Sequence, residues 1–506
     1  MTKHQHADKF LAAAKEEVDM LERMKCWSEI AAVDVDPRFP ILNSHFIFKT
    51  KRDSEGNILR WKCRLVANGN EEDADGGNWS PCVHAENVRL FLALSAVLDC
   101  EVSTFDITGA FISEPIPDDA DPIYVRLPVQ YTGGKEVIVR LRMSLYGLRE
   151  APRWFYVGLR NTLEKIGFVQ SSFDPCLYIR ILPDGTRQFA LVHVDDILLL
   201  SPSLVAIEFF KEGMGKRYEL TGSDVATQFI GYKITRDRSI KRLTISQPGF
   251  ARSIAKKLKL PDTVVLSPGM PLPTNVLPVD LSLVKPLRSI VGLLQFLTHT
   301  RIDIATDLNK LAKCMNAPTQ YHYDAAINIA QYVASTPDYG ISFQTSEDGI
   351  RLVAWADASF ESENAGYSRS GIAFSIGQDS GAFLAKSFTQ WIRSLSTQES
   401  EIQALSEATR YVMFFRFILA EAGFPQDPTI IFEDNNAALA FARGQGDYDR
   451  TKHITRHFRY CFDRSADGNI DVVRIDTRDQ RADQFTKTLS PADHARATAI
   501  NLNLPL

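Results

Sequence analysis

Apolar residues Phe10, Leu11, Ala14, Val18, Leu21 and Met24 recur at helical spacing, which predicts an amphipathic helix over 8–30. Beyond it the period shortens. Two β-rich runs, FIFKTK near 46–51 and ILRWKCRLVA at 58–67, flank the turn Asp53-Ser54-Glu55-Gly56-Asn57 and predict a hairpin. A helix over 86–99 is expected next, then a strand starting at Glu101 and another over 135–143. Pro152 opens a helix that runs to 168, because a first helical turn tolerates proline. At 189–201 a pair of aspartates interrupts two apolar runs.

After Pro202 the pattern predicts a helix, the strand pair FIGYKITRD and RLTISQ, and a basic helix at about 249–260. The proline-rich stretch 266–280 reads as an extended linker and the clearest internal boundary. A mostly helical unit is expected over 284–335, and from 350 strands run through 391. A long helix at 397–422, the strand TIIFED, the helix start NNAALAFA and a final strand–helix pair complete the chain. This alternation suggests an α/β domain.

Bulk properties narrow the class. At 506 residues the chain has room for roughly three or four compact units, and 45% hydrophobic residues suit globular cores. No apolar run approaches the ~18 residues of a membrane span, and the start lacks a signal-peptide core, so an intracellular protein with no membrane partner is expected. Seven scattered cysteines without a CxxC pair suggest reduced core thiols. The net charge of −5 counts against a nucleic-acid binder. Its distribution is uneven, however: eight Lys/Arg against one acid lie between Arg236 and Lys259, and five against one between Arg450 and Arg464. Such patches could contact phosphates, or could simply be solvated helix faces.

Two sets of carboxylates carry candidate chemistry. Asp106 ends an apolar strand, and Asp195-Asp196 sit between hydrophobic runs. At an effective dielectric near 20, carboxylates ~4 Å apart repel by roughly 4 kcal/mol. A divalent cation removes that penalty, and two could activate a hydroxyl and stabilise a leaving pyrophosphate. A plain hairpin turn is the other reading. In the second set, Asp357 follows the strand LVAWA, Glu401 begins one helix face, Asp434 ends TIIFE, and Asp483 lies near a helix start. Converging, these four would need cations; singly, each would be a helix cap or surface acid.

FDITGAF, SLYGLREAPRWF and VHVDDILLL, in that order, resemble the polymerase motifs of copia-type LTR retrotransposon Pol polyproteins. WKCRLVANG, FIGYKITRD with LTISQPGF, and LRSIVGLLQFLTHTRIDIA agree. WADAS, STQESEIQALSEA, EDNNAALA, RTKHITRHF and ADQFTKTL resemble the ribonuclease H domain of the same elements. The resemblance implies a multidomain α+β and α/β fold. In it a right-hand polymerase (fingers and palm 1–202, thumb-like 203–265, linker and connection 266–349) precedes a ribonuclease H-like domain over 350–506. It implies that Asp106, Asp195 and Asp196 hold two Mg²⁺ (or Mn²⁺) in one site, and Asp357, Glu401, Asp434 and Asp483 two in another. Glu399 is the second choice to Glu401. Phe111 matches an aromatic residue that excludes a ribose 2′-hydroxyl; Tyr146, Gly147 and Pro152 match the loop beneath nucleotide and template. Lys51, Arg52, Lys62 and Arg64 match cations that grip the triphosphate, and His453 or His457 match an aid to proton transfer or product release. The implied partners are an RNA template, a DNA or RNA primer, RNA–DNA hybrid and deoxynucleoside triphosphates, in cytoplasmic virus-like particles whose DNA later enters the nucleus. The chain departs from the family at His193 (usually Tyr or Phe), Glu150 (Gln), Ile302 (Pro) and Ser359 (an acid).

Overall fold

The computed structural model describes residues 6–52, 58–72, 79–129, 131–271, 277–347, 349–363, 366–445 and 455–504. The predicted hairpin turn at 53–57 and His453 lie outside them. The first helix is Ala7–Arg23, shorter than the pattern suggested. Lys25 takes a left-handed φ of 54° just beyond it, and Trp27–Ile30 turns into a strand paired with Ile138–Leu141. Helical spacing cannot register a four-residue strand whose partner lies over a hundred positions away.

A five-stranded sheet orders Trp27–Ile30, Ile138–Leu141, Tyr124–Arg126, Ile41–Arg52 and Ile58–Ala67, the last at its edge. A six-stranded sheet orders Leu220–Ser223, Glu101–Ile107, Asp196–Ser201, Arg187–His193, Leu177–Ile181 and Val169–Gln170. The apolar run FALVHVDDILLLS is therefore a hairpin inside that sheet. Its apolar side chains are buried on both faces and share one continuous core with the helices Ala85–Leu98, Ala151–Lys165 and Leu204–Gly215.

A small sheet joins Gln228–Phe229, Tyr232–Asp237 and Arg242–Ser246 to the distant Gly340–Gln344. Helices Pro248–Leu258, Val284–Leu297, Ala305–Lys313 and Gln320–Ser335 share a second core, so helices on both sides of the proline-rich stretch pack together. Beneath it Arg301 and Asp303 form a fully buried ion pair at 2.8 Å. Tyr332 donates its hydroxyl to Asp303 at 2.8 Å, and the Asp303 carbonyl lies 3.0 Å from His494 Nε2. Ile302 between them is core. In the last unit the order is Leu384–Thr389, Tyr367–Ile376, Leu352–Glu363, Thr429–Glu433 and Ile470–Arg474. The first three strands run antiparallel and the last two join in parallel, with the long helix Thr397–Glu421 packed against them. This is the mixed α+β and α/β architecture that the resemblance implies.

Candidate functional site

Strand register brings the first acids together. Asp196 stands directly opposite Asp106, and directly opposed side chains share a face ~5 Å apart, where like charges repel. Asp195 occupies the tight turn between paired His193 and Asp196. Its carbonyl accepts the Ile107 N–H at 3.0 Å, which ties the turn to the Asp106 strand. Val194 sits in that turn at φ 58°, a conformation costly for a β-branched residue and one that tends to be kept where a site depends on it.

Rings and cations surround these acids. The Phe111 ring meets Tyr146 edge-on at 5.8 Å and Phe155 at 5.9 Å. Burial pushes the Tyr146 hydroxyl up to about 12, with Asp195 and Asp106 close enough to add to the rise. The Arg64 guanidinium lies 4.8 Å over the Tyr146 ring. Gly147 has φ 93°, and a Cβ there would fall 2.1 Å from the Ala67 carbonyl oxygen, so close backbone packing requires glycine. Lys62 lies on the same strand as Arg64, opposite Lys49, and Lys51 pairs with Arg60; the Lys51 and Arg52 side chains lie outside the described ones. Pro152 stands in the first turn of its helix, with Glu150 before it and 3.9 Å from Arg153. His193 is half-buried, and its buried Nδ1 has no hydrogen-bond partner among the described residues. Burial lowers its pKa and nearby Asp195 only partly opposes this, so the ring is neutral near pH 7.

The second set converges more tightly. Carboxylate oxygens of Asp357, Glu401 and Asp434 all lie within 4.8 Å of one another, the sole such group of acids, histidines or cysteines found among the described residues. Asp357 and Glu401 are buried. Thr486 donates to Asp357 at 2.7 Å and Thr477 to Asp434 at 2.7 Å, which fixes both carboxylates. Asp483 lies outside the triad, paired with Lys487 at 2.7 Å, yet close enough for its charge to act on Asp357. Burial first, then Asp483, pushes Asp357 up to about 8. Burial first, then Glu433, pushes Glu401 up to about 11. Glu399 instead caps its helix. Its Oε2 accepts the Leu395 N–H at 2.6 Å while the N-cap Ser396 side chain accepts the Glu399 N–H.

Sequence reasoning missed Glu433, which is fully buried and raised well above a usual carboxylate by burial. Its Oε1 accepts the Asn435 N–H at 3.0 Å, and its Oε2 has no hydrogen-bond partner among the described residues. Alternation was the available signal, because Thr429, Ile431 and Glu433 share the buried face of one strand. His457 is half-buried, its Nδ1 3.0 Å from the Ser406 hydroxyl. Of the first basic patch, Arg236 pairs with Asp99, Arg238 with Asp99 and Glu101, and Arg252 with Asp338, so internal pairing offsets part of its charge. Both acid sets offer only hard oxygen donors, which suit Mg²⁺ or Mn²⁺, and the buried Glu401 Oε2 has no hydrogen-bond partner among the described residues.

Residues 32–270 match the family model described as reverse transcriptase (RNA-dependent DNA polymerase). The chain is 26% identical over 502 residues to the retrovirus-related Pol polyprotein from transposon TNT 1-94 of Nicotiana tabacum, covering 96% of this chain and 37% of that protein. It is 29% identical over 460 residues to the Pol polyprotein from transposon RE1 of Arabidopsis thaliana, covering 89% and 31%. The transposon Ty1-LR2 Gag-Pol polyprotein of Saccharomyces cerevisiae is 25% identical, covering 95% and 28%. The chain thus spans about a third of the length of the curated relatives it matches. In fold it is similar to the foamy viral protease-reverse transcriptase dRH in complex with double-stranded DNA, at TM-score 0.55 and 14% identity over 93% of this chain and 70% of that one. The mixed α/β fold of this chain is consistent with the polymerase fold plus ribonuclease H-like domain that the motifs led one to expect. Residues 32–270 thus match the reverse transcriptase family model, in a chain similar over nearly its whole length to retrovirus-related Pol polyproteins of transposons.

Proposed function

We propose that the chain copies RNA, and then DNA, into DNA at the first acid set and cleaves the RNA of RNA–DNA hybrids at the second. One observation carries the polymerase reading: the register that sets Asp106 against Asp196, with Asp195 in the adjoining turn and Tyr146 beside them. Asp106, Asp195 and Asp196 would hold two Mg²⁺ or Mn²⁺, as would Asp357, Glu401 and Asp434 with Asp483 alongside. When bound, such ions supply Lewis-acid stabilisation of the attacking and leaving oxygens in an in-line displacement. The protein's own groups do the rest. Phe111, wedged between Tyr146 and Phe155, would exclude a ribose 2′-hydroxyl by bulk. Lys51, Arg52, Lys62 and Arg64 would bind the triphosphate through charge-assisted hydrogen bonds. Gly147 keeps the loop against the hairpin so that Tyr146 can lie beneath the nucleotide.

Residues 1–202 would serve as fingers and palm, 203–265 as the thumb-like region, 266–349 as linker and connection, and 350–506 as the nuclease unit. The partners are an RNA template, its primer, deoxynucleoside triphosphates and the hybrid product. That the similar foamy viral structure holds double-stranded DNA supports a duplex partner. No described helix is long and apolar enough to cross a membrane. Work inside cytoplasmic particles, with later nuclear entry of the DNA, completes the reading.

A nuclease-only chain is the second reading, favoured by the tight convergence that is found only at Asp357, Glu401 and Asp434 among the described residues. Single substitutions separate the two. Asp195→Ala should abolish primer extension and leave hybrid cleavage, and Asp434→Ala should do the reverse. Loss of both activities from either change would refute two separate sites.

A further inference from the structure

The helix Ala7–Arg23 precedes the segment matched by the family model, and its buried face is Ala13, Ala14, Glu17, Val18 and Leu21. Glu17 is the one charge on that face. It is 8% exposed, in a position where an acid would usually be replaced by an apolar residue. The helix covers the Ile58–Ala67 strand at the open edge of its sheet, with Ala13 and Ala14 packed on Cys63. Glu17 Oε1 accepts the Leu65 N–H, an edge donor, at 3.3 Å. Lys62 and Arg64 precede Leu65 on that strand and lie within the field of Glu17, as does Tyr146; burial raises the Glu17 pKa, and the Leu65 N–H and these two cations oppose the rise. The Arg64 Nε is buried without a hydrogen-bond partner among the described residues, while its guanidinium rests on the Tyr146 ring.

We propose that Glu17 is a positioning residue for the nucleotide site: a built-in counter-anion that keeps Arg64 over the Tyr146 ring and weakens the hold of Arg64 and Lys62 on the triphosphate. This rests on the nucleotide-binding role proposed above for Lys62 and Arg64. In its ionised form Glu17 neutralises part of the cationic grip before nucleotide arrives and repels a polyphosphate once it is seated. The consequence is looser binding of nucleotide and easier departure of pyrophosphate. Its backbone hydrogen bond is a separate role that an isosteric amide can retain.

The test is equilibrium binding of dTTP, and separately of pyrophosphate, to the full chain on an RNA–DNA primer-template with Ca²⁺. Wild type, Glu17→Gln, Glu17→Ala, Arg64→Gln and the Glu17→Gln/Arg64→Gln double variant are compared. Glu17→Gln should bind both anions more tightly, by about three- to ten-fold for removal of one nearby charge. The gain should shrink in the double variant, since coupled groups are not additive. Glu17→Ala, which also loses the Leu65 contact, should be the less stable of the two Glu17 variants in thermal unfolding. Unchanged or weaker binding by Glu17→Gln, with wild type binding measurably, would overturn the counter-anion role alone. A gain that persists undiminished without Arg64 would also overturn it. Wild type that binds neither dTTP nor pyrophosphate would overturn the nucleotide site and this role with it.

Discussion

Asp357, Glu401 and Glu433 share one small buried volume with Asp434, and three of these acids are held well above the usual carboxylate range, chiefly by burial. Without metal, the folded chain keeps protons that the unfolded chain releases, so stability falls as pH rises above the ordinary carboxylate pKa. For Asp357 that loss continues up to about 8. While both Asp357 and Glu401 stay protonated only in the folded state, each contributes a slope of about 1.4 kcal/mol per pH unit. Thermal unfolding in chelator should therefore show a lower Tm near pH 8 than near pH 6. Added Mg²⁺ or Mn²⁺ should raise Tm, and more so at the higher pH; Glu401→Gln should flatten both trends. A chelated Tm that climbs across this window would contradict the reading. Glu433 shows why part of the site was hidden: beside Asp434 it looks like half of a surface acidic pair. Only strand alternation, which turns one of the two inward, separates them.

At the level of elements, two junctions lock neighbouring segments together. Gly147 packs against Val66 and Ala67 at a left-handed φ, so Gly147→Ala meets both strain and a backbone clash. It should destabilise by more than about 1 kcal/mol in denaturant unfolding. The Arg301–Asp303 pair is the stronger lock. Burial works against the Asp303 charge, but Arg301 prevails and holds its pKa below the usual value. This stabilisation is present above the unfolded carboxylate pKa and is lost as pH falls through the lower, folded one. Asp303→Ala strands a buried guanidinium and should cost about 3–5 kcal/mol, measured the same way. Neither contact was legible beforehand. Arg301 and Asp303 stand out in sequence only as TRID, while their partners Tyr332 and His494 come from helices 29 and 191 positions away. The long periodic helices, by contrast, were read nearly to their ends: 86–99 against Ala85–Leu98, and 397–422 against Thr397–Glu421. Local spacing specifies them; it does not specify Trp27–Ile30 or the pairing of Arg242–Ser246 with Gly340–Gln344.

Across the whole molecule, two acid sets about 250 positions apart in sequence, Asp106 and Asp357 marking them, are set on two sheets joined through one extended core. The first set was legible as a candidate because aspartates inside apolar strands are conspicuous, and register then opposes Asp106 and Asp196. The second set was legible as four acids at element ends, of which three converge while Asp483 sits beside them, tied to Lys487. Joining the two in one chain would let a hybrid made at the first site be trimmed at the second, recognised by shape, phosphates and 2′-hydroxyls. The most direct measurement is primer extension by the purified chain on an RNA template with Mg²⁺, run beside Asp195→Ala. Extension that requires the metal and disappears in Asp195→Ala is the expected result. No extension from folded wild-type chain that binds the primer-template, or extension that survives Asp195→Ala, would contradict the assignment of DNA synthesis to Asp106, Asp195 and Asp196.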